Sequence, residues 1–356
     1  MKIAIISDTH AGARGDNPLF NEYFFKFWEN TFFPYLEEHN IKQIIHLGDV
    51  VDRRKFINFV TLNSWRKRFF DVIRDRGIQM DVIVGNHDVT YKNTNEINAM
   101  NELFDHYPNI DVLIEPNTFN YDGCKIAMTP WINSGNYEKS LEFLKNTEAQ
   151  VCFGHFEIAG FEMDRGNICH TGMSKETFDK FDVVLSGHFH HKSTNGNITY
   201  LGNQYQITWA DWGDDRGFHV FDTETRELTF VKNPYEMFHK IIYDDVNKDF
   251  EYWKEVDFDQ WKDCYVKIVV AHKQNPYLFD NVIDRLYKAG AADIAVVEDF
   301  TDSSVELDEE IVNQAEDTMT ILNKYIDGLT LNVEPVKLKN IMKELYVESL
   351  NVDVTE

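Results

Sequence analysis

Five short polar motifs follow one another through the first half of the chain, and each contains residues that can bind a metal ion. They are Asp8-Thr9-His10, Gly48-Asp49-Val50-Val51-Asp52, Gly85-Asn86-His87-Asp88, Gly154-His155 and Gly187-His188-Phe189-His190. Most of them come directly after an apolar run typical of a buried strand, such as residues 3–6 or 183–185. Ligands of an open α/β sheet bind at the carboxyl ends of its strands. The motifs are therefore predicted to converge on one sheet edge.

Strand and helix patterns alternate up to about residue 190, which favours a layered α/β architecture. Strands are predicted at 2–7, 42–48, 80–85, 111–114, 119–122, 125–130, 150–154 and 182–187. Helices are predicted at 18–38, 59–76, 94–106 and 136–146. Two hairpins follow, with turns at residues 195–197 and 222–225. We expect the sheets to stack as a β-sandwich flanked by outer helices.

The composition changes near Asn233-Pro234, which suggests more than one domain in this chain of 356 residues. Residues 1–235 form the predicted first domain. Residues 265–271, 276–288 and 292–297 read as strand, helix and strand, so a small α/β domain is predicted at about 240–300. Residues 301–356 are predicted to be an acidic linker and a helical tail, with helices at 309–326 and 335–350.

The net charge of −25 argues against a protein that coats nucleic acid generally. It does not exclude a nuclease, because the charge is segregated. Residues 53–76 contain eight basic and two acidic residues, whereas residues 291–323 contain ten acidic residues and no basic one. The basic stretch has two interpretations, a solvated helix face or a phosphate-binding patch beside the metal motifs.

The chain contains neither a predicted signal peptide nor an apolar run that approaches the ~20 residues of a membrane span. We therefore expect a cytoplasmic protein with no membrane partner. Its four cysteines, Cys124, Cys152, Cys169 and Cys264, form no CxxC pair. Buried free thiols in a reducing compartment are the favoured interpretation.

The ligand types in the motifs indicate a binuclear metal site. Carboxylate, amide and imidazole groups suit borderline-hard divalent ions such as manganese, iron or zinc. Two such ions about 3.5–4 Å apart form a clamp for displacement at phosphorus. One carboxylate must bridge them, and Asp49 suits that position. His87 could then protonate the departing oxygen, with the Asp52 carboxylate accepting a hydrogen bond from its ring.

Taken singly, each motif is weak, and Gly154-His155 alone would more often mark a satisfied histidine than a metal ligand. Their common order and their positions after strands make coincidence improbable, so the combination favours a metallophosphoesterase. Two other histidines receive structural interpretations. His46 is predicted to lie in the core and His191 to face solvent.

At these residues the sequence resembles the calcineurin-like metallophosphoesterases, more closely the SbcD-type recombination nucleases, including the recombination endonuclease subunits of T-even-like phages. The resemblance is strong over residues 1–235 and weaker beyond. It implies that one manganese ion is held by four residues, Asp8, His10, Asp49 and His190. It implies that a second ion is held by Asp49, Asn86, His155 and His188. His87 would be the catalytic histidine.

The resemblance also implies a function and partners. The expected activity is exonuclease or endonuclease cleavage of DNA with two divalent ions, manganese or alternatively magnesium, in DNA end processing, recombination and repair. The expected partners are DNA, an SbcC-like ABC ATPase with a coiled coil, and a second copy of the chain bound through residues 59–76 and 94–106. The 240–300 domain would contact DNA and the tail would dock the ATPase, in the host cytoplasm if the chain is viral.

One position departs from the family pattern, because many cellular members carry a histidine where this chain has Asp52. The run from Gly48 to Arg53 instead resembles serine/threonine phosphatases, in which the arginine contacts phosphate. This leaves a phosphatase or a small phosphodiesterase as the alternative function, with Arg53 and Arg54 as candidate phosphate-binding residues. A phosphatase would, however, carry glycine at Arg54 and glutamate at Asp88. A non-catalytic scaffold is the least favoured hypothesis.

Overall fold

The computed structural model describes residues 1–164 and 167–298. The acidic linker and the predicted helices at 309–326 and 335–350 lie outside the described residues. No helix within the described ranges has the length and apolar character needed to cross a lipid bilayer.

The first sheet contains six strands and carries three of the five polar motifs. Its strands are β1 (Lys2–Ile6), β2 (Gln43–His46), β3 (Gln79–Ile83), β4 (Ile110–Leu113), β13 (Gly217–Asp222) and β14 (Leu228–Lys232). The spatial order is β14-β13-β1-β2-β3-β4. Strands β1 to β4 run parallel, and β13 pairs with β1 in the antiparallel direction. The carboxyl ends of β1, β2 and β3 therefore lie at the same edge.

The second sheet also contains six strands and carries the other two motifs. Its strands are β5 (Asn117–Tyr121), β6 (Cys124–Thr129), β7 (Val151–Gly154), β10 (Val183–Ser186), β11 (Ser193–Asn195) and β12 (Ile198–Tyr200). The spatial order is β11-β12-β10-β7-β6-β5. Strands β7 and β10 are parallel neighbours, with Phe153 opposite Leu185. The motifs that follow these two strands are thus adjacent.

The two sheets pack face to face, which confirms the predicted β-sandwich. Ile3 and Ile5 of the first sheet share a buried cluster with Val151 and Phe153 of the second. The alternate residues of β1, such as Ala4, belong to a different cluster on the outer face. This alternation follows from the two-residue period of a strand, and it places apolar side chains on both faces of the buried sheet.

Helices cover the outer faces of both sheets. They are α1 (Ala13–Asp16), α2 (Pro18–Phe27), α3 (Phe33–Glu38), α4 (Phe59–Trp65), α5 (Asp71–Asp75), α6 (Ala99–Phe104) and α7 (Tyr137–Asn146). Two π-helical turns, Trp28–Phe32 and Arg66–Phe70, join α2 to α3 and α4 to α5, so the helices predicted at 18–38 and 59–76 are each continuous. The helix predicted at 94–106 is shorter, because the Asn98 side chain caps it by accepting the Asn101 N–H at 2.9 Å.

A third, parallel sheet of three strands follows the sandwich. It consists of β15 (Phe238–Asp244), β16 (Tyr265–His272) and β17 (Asp293–Glu298), with helices α8 (Phe250–Glu255) and α9 (Pro276–Ala289). The predicted strand–helix–strand unit is β16-α9-β17. Strand β15 was not predicted. A small hairpin of β8 (Glu162–Asp164) and β9 (Asn167–Ile168) was also not predicted.

All four cysteines are free, as the sequence predicted. Cys124, Cys152 and Cys169 are buried, whereas Cys264 is partly exposed. Burial raises the pKa of the Cys152 thiol. This thiol is therefore a packing group rather than a reactive one.

Candidate metal centre

The five motifs meet at one edge of the sandwich, beyond the ends of β1, β2, β3, β7 and β10. Four of the predicted ligands there have left-handed backbones. The φ angles are 53° at Asp8, 43° at His10, 56° at Asp49 and 86° at His188. Non-glycine residues adopt such angles at a cost of about 1–3 kcal/mol each, and this strain clusters at functional sites. The packed sandwich holds these residues in conformations that aim their side chains at a common space.

Two motif glycines are required because the ligand loops approach each other closely. A Cβ atom on Gly85 would lie 2.2 Å from Asp49 Oδ1, and one on Gly187 would lie 2.9 Å from Asp8 Oδ2. Real Cβ contacts of this length do not occur. The glycines of these motifs thus allow the turn after one strand to pack against the ligand of another.

The first predicted ligand group converges as expected. One ligand atom from each of Asp8, His10 and His190 lies within 4.8 Å of the others. The Nε2 atoms of His10 and His190 are 2.9 Å apart, and Asp8 Oδ1 lies 4.0 Å from His190 Nε2. Asp49 Oδ2 also lies 4.0 Å from His10 Nε2. Four donor atoms therefore surround one space.

The second predicted group shares Asp49 with the first. His155 Nε2 lies 3.4 Å from Asp49 Oδ2 and 2.9 Å from Asn86 Oδ1. His188 approaches the same amide oxygen through Nδ1, again at 2.9 Å. Asp49, His155 and His188 have ligand atoms within 4.8 Å of one another. One carboxylate thus faces both groups.

The donor chemistry of both groups fits divalent cations. Burial lowers the pKa of His188 to about 3 and holds the pKa of His190 well below its usual value, so both imidazoles are neutral with a lone pair to offer. Burial opposes protonation of His155 as well, but the adjacent Asp49 carboxylate raises its pKa to about 9. The raised pKa of His155 shows that a positive charge is favoured next to the buried Asp49 carboxylate. The Nε2 atoms of His10 and His190 are 2.9 Å apart, close enough for both to bind one cation.

Polar groups outside the two sets orient the ligand rings. His155 donates Nδ1–H to the carbonyl of Leu47 at 2.7 Å, which leaves Nε2 for the centre. On the far side of His188, Nε2 lies 3.8 Å from the Glu157 carboxylate. A hydrogen bond such as that of His155 to Leu47 fixes the tautomer and orientation of a metal-binding histidine, whereas the Glu157 carboxylate acts on His188 only through its charge. Buried His46 fulfils its structural prediction, because its Nδ1 accepts the Gly48 N–H at 3.1 Å.

His87 lies at the rim of the centre, but the predicted role of Asp52 is wrong in its atomic detail. The ring donates Nδ1–H to the backbone carbonyl of Asp52 at 2.6 Å, not to the carboxylate. The Asp52 carboxylate instead lies 3.5 Å from His10 Nδ1. The backbone N–H of His87 donates to Asp49 Oδ1 at 2.7 Å. The backbone carbonyl thus orients His87, and the carboxylate of Asp52 faces a predicted ligand.

The two candidate phosphate-binding arginines have different surroundings. Arg53 forms an ion pair with Asp16, and its guanidinium lies 4.7 Å from the ring centre of Phe56. The same Asp16 carboxylate accepts the Thr61 hydroxyl at 2.7 Å. The charge of Arg53 is therefore already paired with that of Asp16. Arg54 is partly exposed and makes no ion pair with the described residues.

Comparison with known proteins assigns the family. The profile of calcineurin-like phosphoesterases matches residues 1–192, more than half of the chain. The chain belongs to the calcineurin-like phosphoesterase family. This phosphoesterase is 30% identical to exonuclease subunit 1 of Enterobacteria phage T4, over 98% of its own length and 99% of the relative's.

Two further proteins are more distant. The match to the SbcD subunit of nuclease SbcCD from Staphylococcus epidermidis is 28% identical and covers 26% of the phosphoesterase and 28% of the relative. A solved archaeal phosphodiesterase aligns over 65% of this chain and 99% of its own, at 16% identity and a TM-score of 0.30. At that TM-score the alignment carries no weight. Family membership makes the chain an enzyme, and the two residue groups are its candidate sites for divalent metal ions.

Asp88 supports the phosphoesterase's ligand loops, a role that sequence reasoning missed. Its buried carboxylate accepts four backbone N–H groups, from Asp49 and Gly85 at 2.8 Å on one oxygen and from Val50 and Val51 at 2.8 and 3.1 Å on the other. It thereby ties the loop after β2 to the loop after β3. The sequence signal that could have revealed this role is the position of Asp88 at the end of the Gly85-Asn86-His87-Asp88 motif.

Arg216 is a second residue that sequence reasoning missed. It is 5% exposed, and its guanidinium donates to the carbonyl of His190 and pairs with Asp211 and Asp214 at 2.8 and 3.1 Å. It therefore fixes the backbone of a predicted ligand. The prediction that His191 faces solvent is wrong, because its side chain is only 19% exposed and lies between the carboxylates of Asp214 and Glu162. No motif marks Arg216, so only the fold reveals its role.

Proposed function

We propose that this phosphoesterase is a manganese-dependent DNA nuclease with a two-metal centre, acting as an exonuclease or endonuclease in DNA end processing, recombination and repair. The observation that carries the proposal is the convergence of six ligand side chains, in two groups, around the shared Asp49. The names of its relatives, an exonuclease subunit and the SbcD subunit of a nuclease, support cleavage of a nucleic acid, and DNA is the substrate proposed here. Magnesium is the alternative metal.

Each predicted site residue has a place in this proposal. Two divalent ions, when bound, neutralise phosphate oxygens and lower the pKa of water. Asp8, His10 and His190 would hold one ion, Asn86, His155 and His188 the other, and Asp49 would contact both.

His87 would donate a proton to the departing oxygen of the substrate. Its Nδ1–H is engaged by the Asp52 carbonyl, so Nε2 is the atom available for proton transfer. Its partial exposure at the rim allows a substrate to reach it.

The deciding experiment compares substrates. Purified protein with Mn²⁺ is assayed on single-stranded DNA, duplex DNA, a small phosphodiester and a phosphopeptide. The proposal requires DNA cleavage that disappears with a chelator and returns with Mn²⁺. Faster hydrolysis of the phosphopeptide than of DNA would instead support the alternative function, a phosphatase. Absence of bound metal by elemental analysis would favour a non-catalytic scaffold.

The proposed protein partners are a second copy of the chain and an SbcC-like ATPase with a coiled coil. The start of α4 supports a dimer, because Phe59 and Val60 are 85% and 72% exposed. Other apolar residues of the 59–76 range, including Trp65 and Phe69, are buried within the domain. Within the 59–76 range, the apolar part of the proposed contact would therefore be centred on Phe59 and Val60. Light scattering measures the molar mass of the wild type and of Phe59→Ser. A monomeric wild type would count against the dimer.

The proposed domain roles assign DNA contact to residues 240–300 and ATPase docking to the tail at 301–356, beyond a nuclease domain of residues 1–235. Truncation before Pro335 tests the tail. If the truncated protein cleaves single strands but no longer co-purifies with the ATPase, the tail docks the partner. If the truncated protein unfolds, the tail belongs to the protein's own core.

A further inference from the structure

Trp131 lies at the same sheet edge as the predicted metal ligands. Strand β6 ends at Thr129 and runs parallel to β7, so that Thr129 is opposite Gly154. Trp131 follows β6 by two residues, as His155 follows β7 by one. The ring centre of Trp131 is 5.9 Å from that of His155 and 5.2 Å from that of His188. An aromatic residue outside the five motifs therefore borders the second predicted ligand group.

The backbone of Trp131 is hydrogen-bonded on both sides. Its N–H donates at 2.9 Å to the carbonyl of Val84, which precedes the ligand loop after β3. Its carbonyl accepts the side-chain amides of Asn95 and Asn136, both at 3.0 Å. Asn95 is buried and accepts the side-chain amide of Asn133, also buried, at 2.9 Å. The loop that carries Trp131 is thus held in place, as a preorganised binding site requires.

The environment of Trp131 differs from that of the core tryptophans. Trp28 and Trp65 are 0% and 1% exposed and belong to the apolar cluster on the outer face of the first sheet. Trp131 is partly exposed, and the rings beside it are those of two predicted ligands. It therefore offers an aromatic surface to solvent next to the metal centre.

We propose that Trp131 is a substrate-binding residue, which stacks on a nucleobase next to the phosphate held at the second ligand group. The inference rests on the proposed nuclease function and deepens it, because single strands, whose bases are free to stack on protein, become the favoured substrate. A phosphate and its base are joined through one sugar. A phosphate held by the group that contains Asn86, His155 and His188 would therefore bring its base near the indole.

The charge of the chain also favours stacking as a source of affinity. A protein of net charge −25 attracts the DNA backbone poorly. Stacking of a base on an aromatic ring does not require a positive protein charge, and it tolerates any base because every base has a π-face. Trp131 would thus contribute affinity at the centre without reading sequence.

The test is a cycle that removes the base from the DNA and the indole from the protein. Short labelled single strands, each with one abasic residue at a different position, are bound to the full chain in Mn²⁺ and followed by fluorescence anisotropy. The chain carries His87→Gln throughout to suppress cleavage, and it is compared with and without Trp131→Leu. Loss of the stacked base or of the indole should each weaken binding roughly 5–150-fold. At that position the double change should weaken binding no more than either single change, because both remove the same contact.

Tyr35→Leu is the matched control. Tyr35 is also a partly exposed aromatic residue beside a histidine, with its ring centre 3.9 Å from that of His39, but it lies on α3. Tyr35→Leu should leave the affinity for every strand unchanged. Trp131→Phe keeps an aromatic face and should retain most of the affinity that Trp131→Leu loses.

Calorimetric titration with Mn²⁺ separates stacking from a packing role. If Trp131 contacts the substrate, Trp131→Leu should leave the metal affinity unchanged. A fall in metal affinity that accounts for the weaker DNA binding would overturn the inference and make Trp131 a residue that packs the ligand histidines. Losses from Trp131→Leu and from the abasic residue that add in free energy at every position would also overturn it, since the ring would then touch no base.

The two proposals can fail separately. If the cycle shows coupling but the protein with His87 intact does not cleave DNA, the nuclease proposal fails and the stacking site stands. If that protein cleaves DNA and no position of the strand couples to Trp131, the nuclease proposal stands and the stacking site fails.

Discussion

Replacing Asp88 by asparagine should destabilise the ligand loops although the two side chains have nearly the same shape. Each carboxylate oxygen accepts two backbone N–H groups, from Asp49 and Gly85 or from Val50 and Val51. An asparagine would turn an NH₂ group towards one of these donor pairs, so two buried N–H groups would lose their acceptor. A hydrogen bond to a charged group contributes about 1.5–3 kcal/mol, which gives an expected loss of about 3–6 kcal/mol.

Urea unfolding followed by far-UV circular dichroism measures this loss. The measurement is made in chelator, because bound metal would add its own stabilisation by mass action. Asp182→Asn is the control, since Asp182 is exposed and pairs with Arg226 at the surface. Asp182→Asn should lower the free energy of unfolding by less than about 1 kcal/mol. An equally small cost for Asp88→Asn would refute the role of Asp88 as an ionised acceptor of four N–H groups.

The remaining predictions concern catalysis, ligand position and pH. His87→Gln should keep the metal content but reduce kcat for DNA by about 10²–10⁴-fold, and near-normal turnover in a folded variant would remove His87 from the mechanism. Arg216→Lys keeps a positive charge but cannot hold the His190 carbonyl and both carboxylates together. Metal affinity should fall about 10–100-fold by calorimetry, whereas unchanged affinity would make Arg216 a stabilising residue only. Burial lowers the pKa of His219 to about 3, so the unfolded chain, with a histidine pKa of about 6.5, binds the extra proton between these values. Stability should therefore fall as the pH drops below about 6.5, and His219→Phe should flatten that slope in urea melts. The same dependence of stability on pH in the wild type and in His219→Phe would contradict this prediction.

The sequence was most informative where local pattern and topology agree. Parallel strands place their carboxyl ends at one edge, so the positions of Asp8, Asp49 and His155 followed from the apolar runs before them. The sandwich and its outer helices followed from the alternation of strand-like and helix-like patterns of apolar residues along the sequence. The proximity of the five motifs was therefore predictable from the sequence alone.

Atomic detail and long-range contacts were not predictable in the same way. Whether Asp52 uses its carbonyl or its carboxylate towards His87 depends on the backbone path and the rotamer, which no residue pattern specifies. Arg216 contacts a carbonyl 26 residues away, and only the packed fold brings the two together. Strand β15 was missed because polar residues interrupt its apolar pattern and its parallel partner lies beyond α8.

In the proposed nuclease, Asp49 would join two metal ions in one hydrolytic centre. The most direct measurement is titration of the metal-free protein with Mn²⁺ by calorimetry, combined with elemental analysis and a DNA cleavage assay on the same samples. We expect two ions per wild-type chain, and the loss of both tight metal binding and DNA cleavage in Asp49→Asn. A wild-type protein that cleaves DNA with one ion or none bound, or an Asp49→Asn variant that still holds two ions, would contradict it.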